Sequence, residues 1–179
     1  MKLKISKKLG LKIIYPNTNF KDVRGRYIET FNKREYKKIL NQNFVEDDFC
    51  INKKNVFRGI HGDQTTWKLV SCIYGKCLSI IINFDKQSPF FGMHEKFNLS
   101  SENYFQILIP PKHGNSFLVT SDKAIYHYKQ TKYYEGQNKQ FTLNVKDPFF
   151  GIRLPKKKII LSKRDSEAEF YLKKNSFKL

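Results

Sequence analysis

Trp67-Lys-Leu-Val-Ser-Cys-Ile-Tyr-Gly75-Lys-Cys-Leu-Ser-Ile-Ile-Ile-Asn-Phe84 is the stretch that decides the fold class. Two runs of β-branched, aromatic and aliphatic residues flank a Tyr74-Gly75-Lys76 turn, which reads as two strands joined by a tight turn. Similar runs recur along the chain between Gly, Pro, Asn, Asp and Ser punctuation. They predict strands over Leu11–Tyr15, Arg26–Phe31, Asn43–Asn52, Trp67–Tyr74, Lys76–Phe84, Met93–Leu99, Tyr104–Ile109, Ser116–Val119, Ala124–Gln130, Gln140–Asn144 and Phe149–Arg153. Two segments read as short helices. Asn32 and Glu35 have the spacing of a reciprocal cap for a helix over Lys33–Leu40, and Ser162 or Ser166 starts a helix reaching about Lys174. The expected architecture is all-β, a jelly-roll β-barrel or sandwich with a few short peripheral helices, and 179 residues fit a single domain spanning 1–179.

Thirty-four Lys and Arg against sixteen Asp and Glu give a formal charge of +18. The lysines are spread along the whole chain, so this excess acts mainly through solubility and nonspecific attraction. No clustered basic stripe or recognised binding motif accompanies it, and no nucleic-acid partner is expected. Cys50, Cys72 and Cys77 form neither an even disulfide framework nor a zinc-site spacing, which predicts reduced, packed thiols. Lys12 interrupts the only apolar N-terminal stretch, and runs such as residues 78–82 fall far short of the ~18 residues of a membrane span. A cytoplasmic protein with no membrane partner is expected.

Several residues carry chemistry or have a plainer structural use. His61 lies in Arg58-Gly-Ile-His-Gly-Asp63, where two glycines let the backbone approach a ligand or form a bulge. It is a structural histidine or, if something orients it and receives its charge, a base. The pleat puts Lys68 on one face with Val70, Cys72 and Tyr74, so its ammonium either snorkels from the strand end or meets an anion in a cavity. Tyr126 and Tyr128 share a face, as packing aromatics or as a proton donor. Asp165 is an N-cap or a functional carboxylate. His94, His113 and His127 show no ligand spacing, and no metal is expected. Walker-type and dinucleotide-type phosphate loops are absent from the sequence.

Taken in order, Phe20-Lys-Asp-Val-Arg-Gly-Arg-Tyr-Ile-Glu29, Val56-Phe-Arg-Gly-Ile-His61, Lys68-Leu-Val-Ser-Cys-Ile-Tyr-Gly75, Ser88-Pro-Phe-Phe-Gly92, Leu108-Ile-Pro110, Tyr128-Lys-Gln-Thr-Lys-Tyr-Tyr134, Asp147-Pro148 and Leu161-Ser-Lys-Arg-Asp165 resemble a known family. It is that of the cupin-fold nucleotide-sugar 3,5-epimerases, typified by dTDP-4-dehydrorhamnose 3,5-epimerase. The resemblance implies a cupin-type jelly roll and an isomerase acting without a cofactor on a nucleotide-linked 4-keto sugar, whose C3 and C5 protons the ketone acidifies. It implies His61 as base, Asp165 as the carboxylate that fixes its tautomer, Lys68 as the group facing the enolate oxygen, and Tyr128 as the acid on the opposite face. Arg24, Arg58 and Arg164 match substrate-contacting positions, a forked guanidinium suiting a pyrophosphate. Tyr134 matches the aromatic residue lying against the base, and the segment with Arg24 and Glu29 implies a homodimer.

Departures from the family bear on substrate choice. Glu46 and Asp48 stand where the thymidine-linked enzymes carry Gln and Asn, and a carboxylate accepts hydrogen bonds without donating. Adjacent guanine N1-H and N2-H groups suit such an acceptor, so a GDP-linked substrate is expected over a dTDP-linked one. The Trp67-Lys68 and Pro110-Pro-Lys-His-Gly-Asn115 wording also resembles the branch acting on GDP-4-keto heptoses in capsular or surface polysaccharide synthesis. Asn115 occupies the place of a second active-site His, and an amide there still hydrogen-bonds a sugar hydroxyl. The alternatives are a dTDP-4-keto-6-deoxyhexose 3,5-epimerase and a catalytically silent sugar-nucleotide-binding cupin. The related 3,4-ketoisomerases typically pair two histidines, and His61 has no such neighbour.

Overall fold

A turn lies at Tyr74-Gly75-Lys76 as the sequence predicts, but the two strands it joins belong to different sheets and do not pair with each other. Gly75 sits at φ +72°, and a Cβ there would come within 2.1 Å of the Lys123 carbonyl oxygen, so only glycine fits. The computed structural model describes residues 1–16, 19–155 and 158–171. Its elements in chain order are β1 (Lys2–Ile5), β2 (Lys12–Tyr15), β3 (Asn19–Asp22), β4 (Gly25–Ile28), α1 (Lys33–Tyr36), β5 (Glu46–Lys53), β6 (Phe57–Gly62), β7 (Lys68–Tyr74), β8 (Lys76–Asn83), β9 (His94–Ser100), β10 (Gln106–Ile109), β11 (His113–Val119), β12 (Lys123–Gln130), β13 (Phe141–Thr142) and α2 (Lys163–Ser166).

These strands form two antiparallel sheets of jelly-roll character. One has the order β1-β2-β10-β7-β12-β5, the other β13-β6-β11-β8-β9, and β3-β4 is a separate hairpin. Val70, Cys72, Ile107 and Tyr126 of the first sheet pack against Cys77, Ile81, Leu99, Phe117 and Val119 of the second. The Ile80-Ile81-Ile82 run is apolar on both pleat faces because Ile80 and Ile82 are covered from behind by Leu143, Val145 and Phe150. The thiols of Cys50, Cys72 and Cys77 are free, as expected. Among the described residues no helix is long and apolar enough to cross a membrane.

Several boundaries differ from expectation, each for a local reason. β6 was not legible as a strand because Gly59 and Gly62 break its alternation. It is nonetheless paired along β11, with a register shift between Asn115↔His61 and Phe117↔Arg58 that makes the anticipated bulge. Phe149–Arg153 is not a strand: Asp147 caps Phe149 N, Pro148 opens a 3-10 turn over Pro148–Phe150, and Gly151 ends it at φ +57°. The Gln140–Asn144 strand contracts to Phe141–Thr142. α1 covers only Lys33–Tyr36; Asn32 Oδ1 accepts from Arg34 N and Glu35 N, but the Glu35 carboxylate pairs with Lys38 instead of closing the reciprocal cap. α2 starts at the earlier candidate, Ser162, and stops at Ser166; the expected reach to Lys174 lies outside the described residues.

Gly62 tests this packing. A Cβ at that position would lie 2.4 Å from the His113 carbonyl oxygen and 2.3 Å from the Phe141 ring. Gly62→Ala should therefore destabilise the fold by about 1–3 kcal/mol, as overpacking does. A chemical-denaturation midpoint unchanged from wild type would contradict this contact.

Candidate active site

Cross-strand register sets the site. On the inner face of the first sheet, Lys68, Gln130 and Glu46 form one row across β7, β12 and β5, and Val70, Tyr128 and Asp48 form the next. Facing them, His61 on β6 pairs with Asn115 on β11. Residues 160–162, 164 and 165 line the far side, and the cavity, open to solvent on one side, measures about 710 Å³, a size suited to a small organic ligand. Ten of the twelve expected site residues line it: His61, Lys68, Tyr128, Asp165, Glu46, Asp48, Arg58, Asn115, Tyr134 and Arg164.

His61 Nε2 lies 2.6 Å from Asp165 Oδ1. Asp165 is buried, and burial alone would raise its pKa. The bond with His61, together with those from Ser162 and the Gly59 backbone, outweighs burial and holds the carboxyl below its usual range. An ionised carboxylate only accepts, so Nε2 carries the hydrogen, and in the neutral ring Nδ1 is left as the basic nitrogen. The N-cap use of Asp165 is taken instead by Ser162, whose Oγ accepts from Asp165 N at 3.1 Å.

Lys68 is buried, with its nearest carboxylate, Asp63 Oδ2, 4.0 Å away. Burial lowers its pKa and Asp63 opposes that shift. The ammonium does not snorkel; it faces the cavity. Tyr128 is pushed up to about 12, first by burial and then by the charge of Asp48. It therefore holds its phenolic proton at neutral pH and can give it to a strong carbon base. Tyr126 donates to Asn115 Oδ1 at 3.0 Å, which leaves the Asn115 NH₂ as a donor. Arg58 Nε donates to Asn52 Oδ1 at 2.6 Å; Arg164 Nε donates to Thr142 Oγ1 at 2.8 Å and its Nη1 and Nη2 to Gln140 Oε1 at 3.4 Å, so Arg58 keeps the more donors in reserve and Arg164 still has one N-H on each Nη.

Two expected residues are elsewhere. Arg24 lies in the β3-β4 turn, exposed and paired with Asp22, while Glu29 accepts from Asn32 Nδ2 at 3.3 Å just beyond β4. Neither lines the cavity of this chain. Conversely Gln130 was overlooked, although the alternation that turns Tyr126 and Tyr128 inward turns Gln130 inward too. Among the described residues no group of three His, Cys, Asp or Glu side chains is set to hold a metal.

A sequence-family model, dTDP-4-dehydrorhamnose 3,5-epimerase, matches residues 7–172. The chain belongs to this family. It is accordingly an isomerase of the nucleotide-sugar epimerase type. The dTDP-4-dehydrorhamnose 3,5-epimerase of Salmonella typhimurium is 36% identical over 120 residues, 64% of this chain and 66% of that one. That of Shigella flexneri is 29% identical over 170 residues, 92% of this chain and 93% of that one. A dTDP-6-deoxy-D-glucose-3,5-epimerase from Legionella pneumophila, solved with dTDP-4-keto-L-rhamnose, superposes with a TM-score of 0.87 at 32% identity, covering 94% of this chain and 92% of that one.

The guanine and heptose expectations lose their footing here. These relatives are named for thymidine-linked sugars. Both Glu46 oxygens are engaged within the chain: Oε1 accepts from Gln130 Nε2 at 2.7 Å and Oε2 from Tyr134 N at 2.8 Å. Each Glu46 oxygen thus already accepts one bond from the chain and keeps a further lone pair.

Asp165→Asn replaces an acceptor with a group that also donates, and so frees the imidazole to take the other tautomer. Turnover should fall by roughly 10²- to 10⁴-fold with KM little changed. A steady-state assay with both parameters near wild type would show that Asp165 does not orient the base.

Proposed function

We propose that the chain epimerises a dTDP-linked 4-keto-6-deoxyhexose at C3 and C5. The observation that carries this reading is the carboxylate-oriented His61 in a cavity that also holds Lys68 and Tyr128. The nucleotide is inferred from the thymidine-linked relatives.

In this mechanism His61 Nδ1 removes the proton from C3, and the bonding pair moves into an enolate with its charge on the C4 oxygen. Asp165 stabilises the imidazolium, and the Lys68 ammonium stabilises the enolate oxygen as charge develops. Tyr128 returns a proton to the opposite face of the carbon, which inverts it. The phenolate is reprotonated from solvent and His61 releases its proton. The sequence repeats at C5 after the ring re-orients. Each inversion removes one proton and adds one, so it calls for no redox cofactor. Asn115 NH₂ hydrogen-bonds a sugar oxygen, Arg58 and Arg164 bind the diphosphate, and Tyr134 lies against the base.

We also propose that the working unit is a homodimer in which Arg24 and Glu29 of a second copy reach this cavity. The β3-β4 hairpin projects Phe20, Val23 and Tyr27 into solvent, and β5, an edge strand, exposes Phe49 and Ile51. Apolar surface of this kind is what a second copy would cover.

Proton NMR in D₂O with dTDP-4-keto-6-deoxyglucose reads the chemistry. Wild type should lose the H3 and H5 signals, and exchange at neither carbon would contradict an epimerase. His61→Asn should nearly abolish exchange. Tyr128→Phe should retain part of the exchange but lose net inversion, because removal and return of the proton use different faces; equal loss of both would argue against a separate acid.

A further inference from the structure

Glu46 and Asp48 put two carboxyl groups into a cavity assigned above to a ligand that is itself an anion. They lie two residues apart on the inner face of β5. A single amide nitrogen, Gln130 Nε2, donates to both, at 2.7 Å to Glu46 Oε1 and 3.4 Å to Asp48 Oδ2. Glu46 is further held by Tyr134 N. Apart from the Glu46 carboxyl beside it, Asp48 has the longer, shared contact, so it is the carboxyl less supported as an anion. Among the described residues no Lys, Arg or His nitrogen lies within 4.0 Å of either group.

We propose that Glu46 and Asp48 are a proton-linked determinant of nucleotide binding: the diphosphate of the sugar nucleotide enters the cavity together with one proton, which the two carboxyls hold between them. This rests on the sugar-nucleotide reading of the cavity. Burial, followed by the hydrogen bonding and charge of Glu46, already pushes Asp48 above the usual carboxylate range, with Asp47 adding to it and Gln130 opposing. A ligand bringing further negative charge raises it again. The groups facing the pair do not cancel this. Across β12 stands the neutral phenol of Tyr128, and Cys50 follows on β5. Lys68 on β7, Arg58 on β6 and Arg164 on α2 line the same cavity, and the diphosphate competes for them. His61 and Asp165 are bonded to each other, while Asp47 turns to the other face, against His127 and Lys129. Carboxamides at these two positions would meet the same ligand without needing a proton.

By linkage, a group whose pKa rises on binding takes up a proton, so binding is tightest at low pH and weakens as pH rises. Calorimetric titration with dTDP-glucose, whose diphosphate diester has no ionisation near neutrality, tests this between about pH 5.5 and 8.5 in two buffers of different ionisation enthalpy. Wild type should take up close to one proton per ligand over part of that range, with Kd weakening by up to tenfold per pH unit. The isosteric Asp48→Asn and Glu46→Gln variants should lose that uptake and bind at least about tenfold tighter than wild type at the alkaline end. His61→Asn should keep it. A pH-independent wild-type Kd, or uptake undiminished in Asp48→Asn, overturns the inference while leaving the nucleotide site intact. Absence of dTDP-glucose binding in every protein at every pH overturns both.

Discussion

The 2.6 Å bond between His61 Nε2 and Asp165 Oδ1 joins residues 104 positions apart, and the rest of the site is arranged around it. A neutral imidazole is a useful base at one nitrogen only if the other is pinned, and a carboxylate pins it only if it stays ionised when buried. The second condition is met by the bonds from Ser162 and Gly59 as well as from the ring itself. α2 needs to be only one turn long to do this, because Ser162 fixes where it begins.

Around that bond the sheet supplies spacing. Antiparallel register puts Asp48, Tyr128 and Val70 in one row and Glu46, Gln130 and Lys68 in the next, so an acid, an ammonium and two carboxyls reach one cavity from three strands. Their environments push them apart in character. Burial keeps Tyr128 protonated and makes Lys68 easier to deprotonate, while hydrogen bonds keep Asp165 ionised. The division of roles among base, acid and oxyanion partner follows from these differences.

Much of this was legible in the sequence, and the failures share a cause. Alternating β-formers located β7, β8 and β12, and with them Lys68 and Tyr128. The motif order located His61, although β6 itself was hidden by Gly59 and Gly62, whose missing side chains are what allow β11 to approach so closely. The 3-10 turn at Pro148–Phe150 was hidden because Phe149 and Phe150 have strand propensity, while Asp147, Pro148 and Gly151 decide the backbone. Glu46 is a different case: acceptor chemistry says what a carboxylate can bind, but not that Gln130 and Tyr134 already share it. Residue type constrains a site, and only the partners reveal which capacity is left over.

The tautomer of His61 tests the account most directly. In protein labelled with ¹⁵N at histidine and without ligand, the neutral ring of His61 should carry its hydrogen on Nε2, with Nδ1 unprotonated. The account also predicts that Asp165→Asn perturbs this assignment. A ring protonated at Nδ1, with Nε2 bare against Asp165, would contradict it, because no base would then be presented to the substrate.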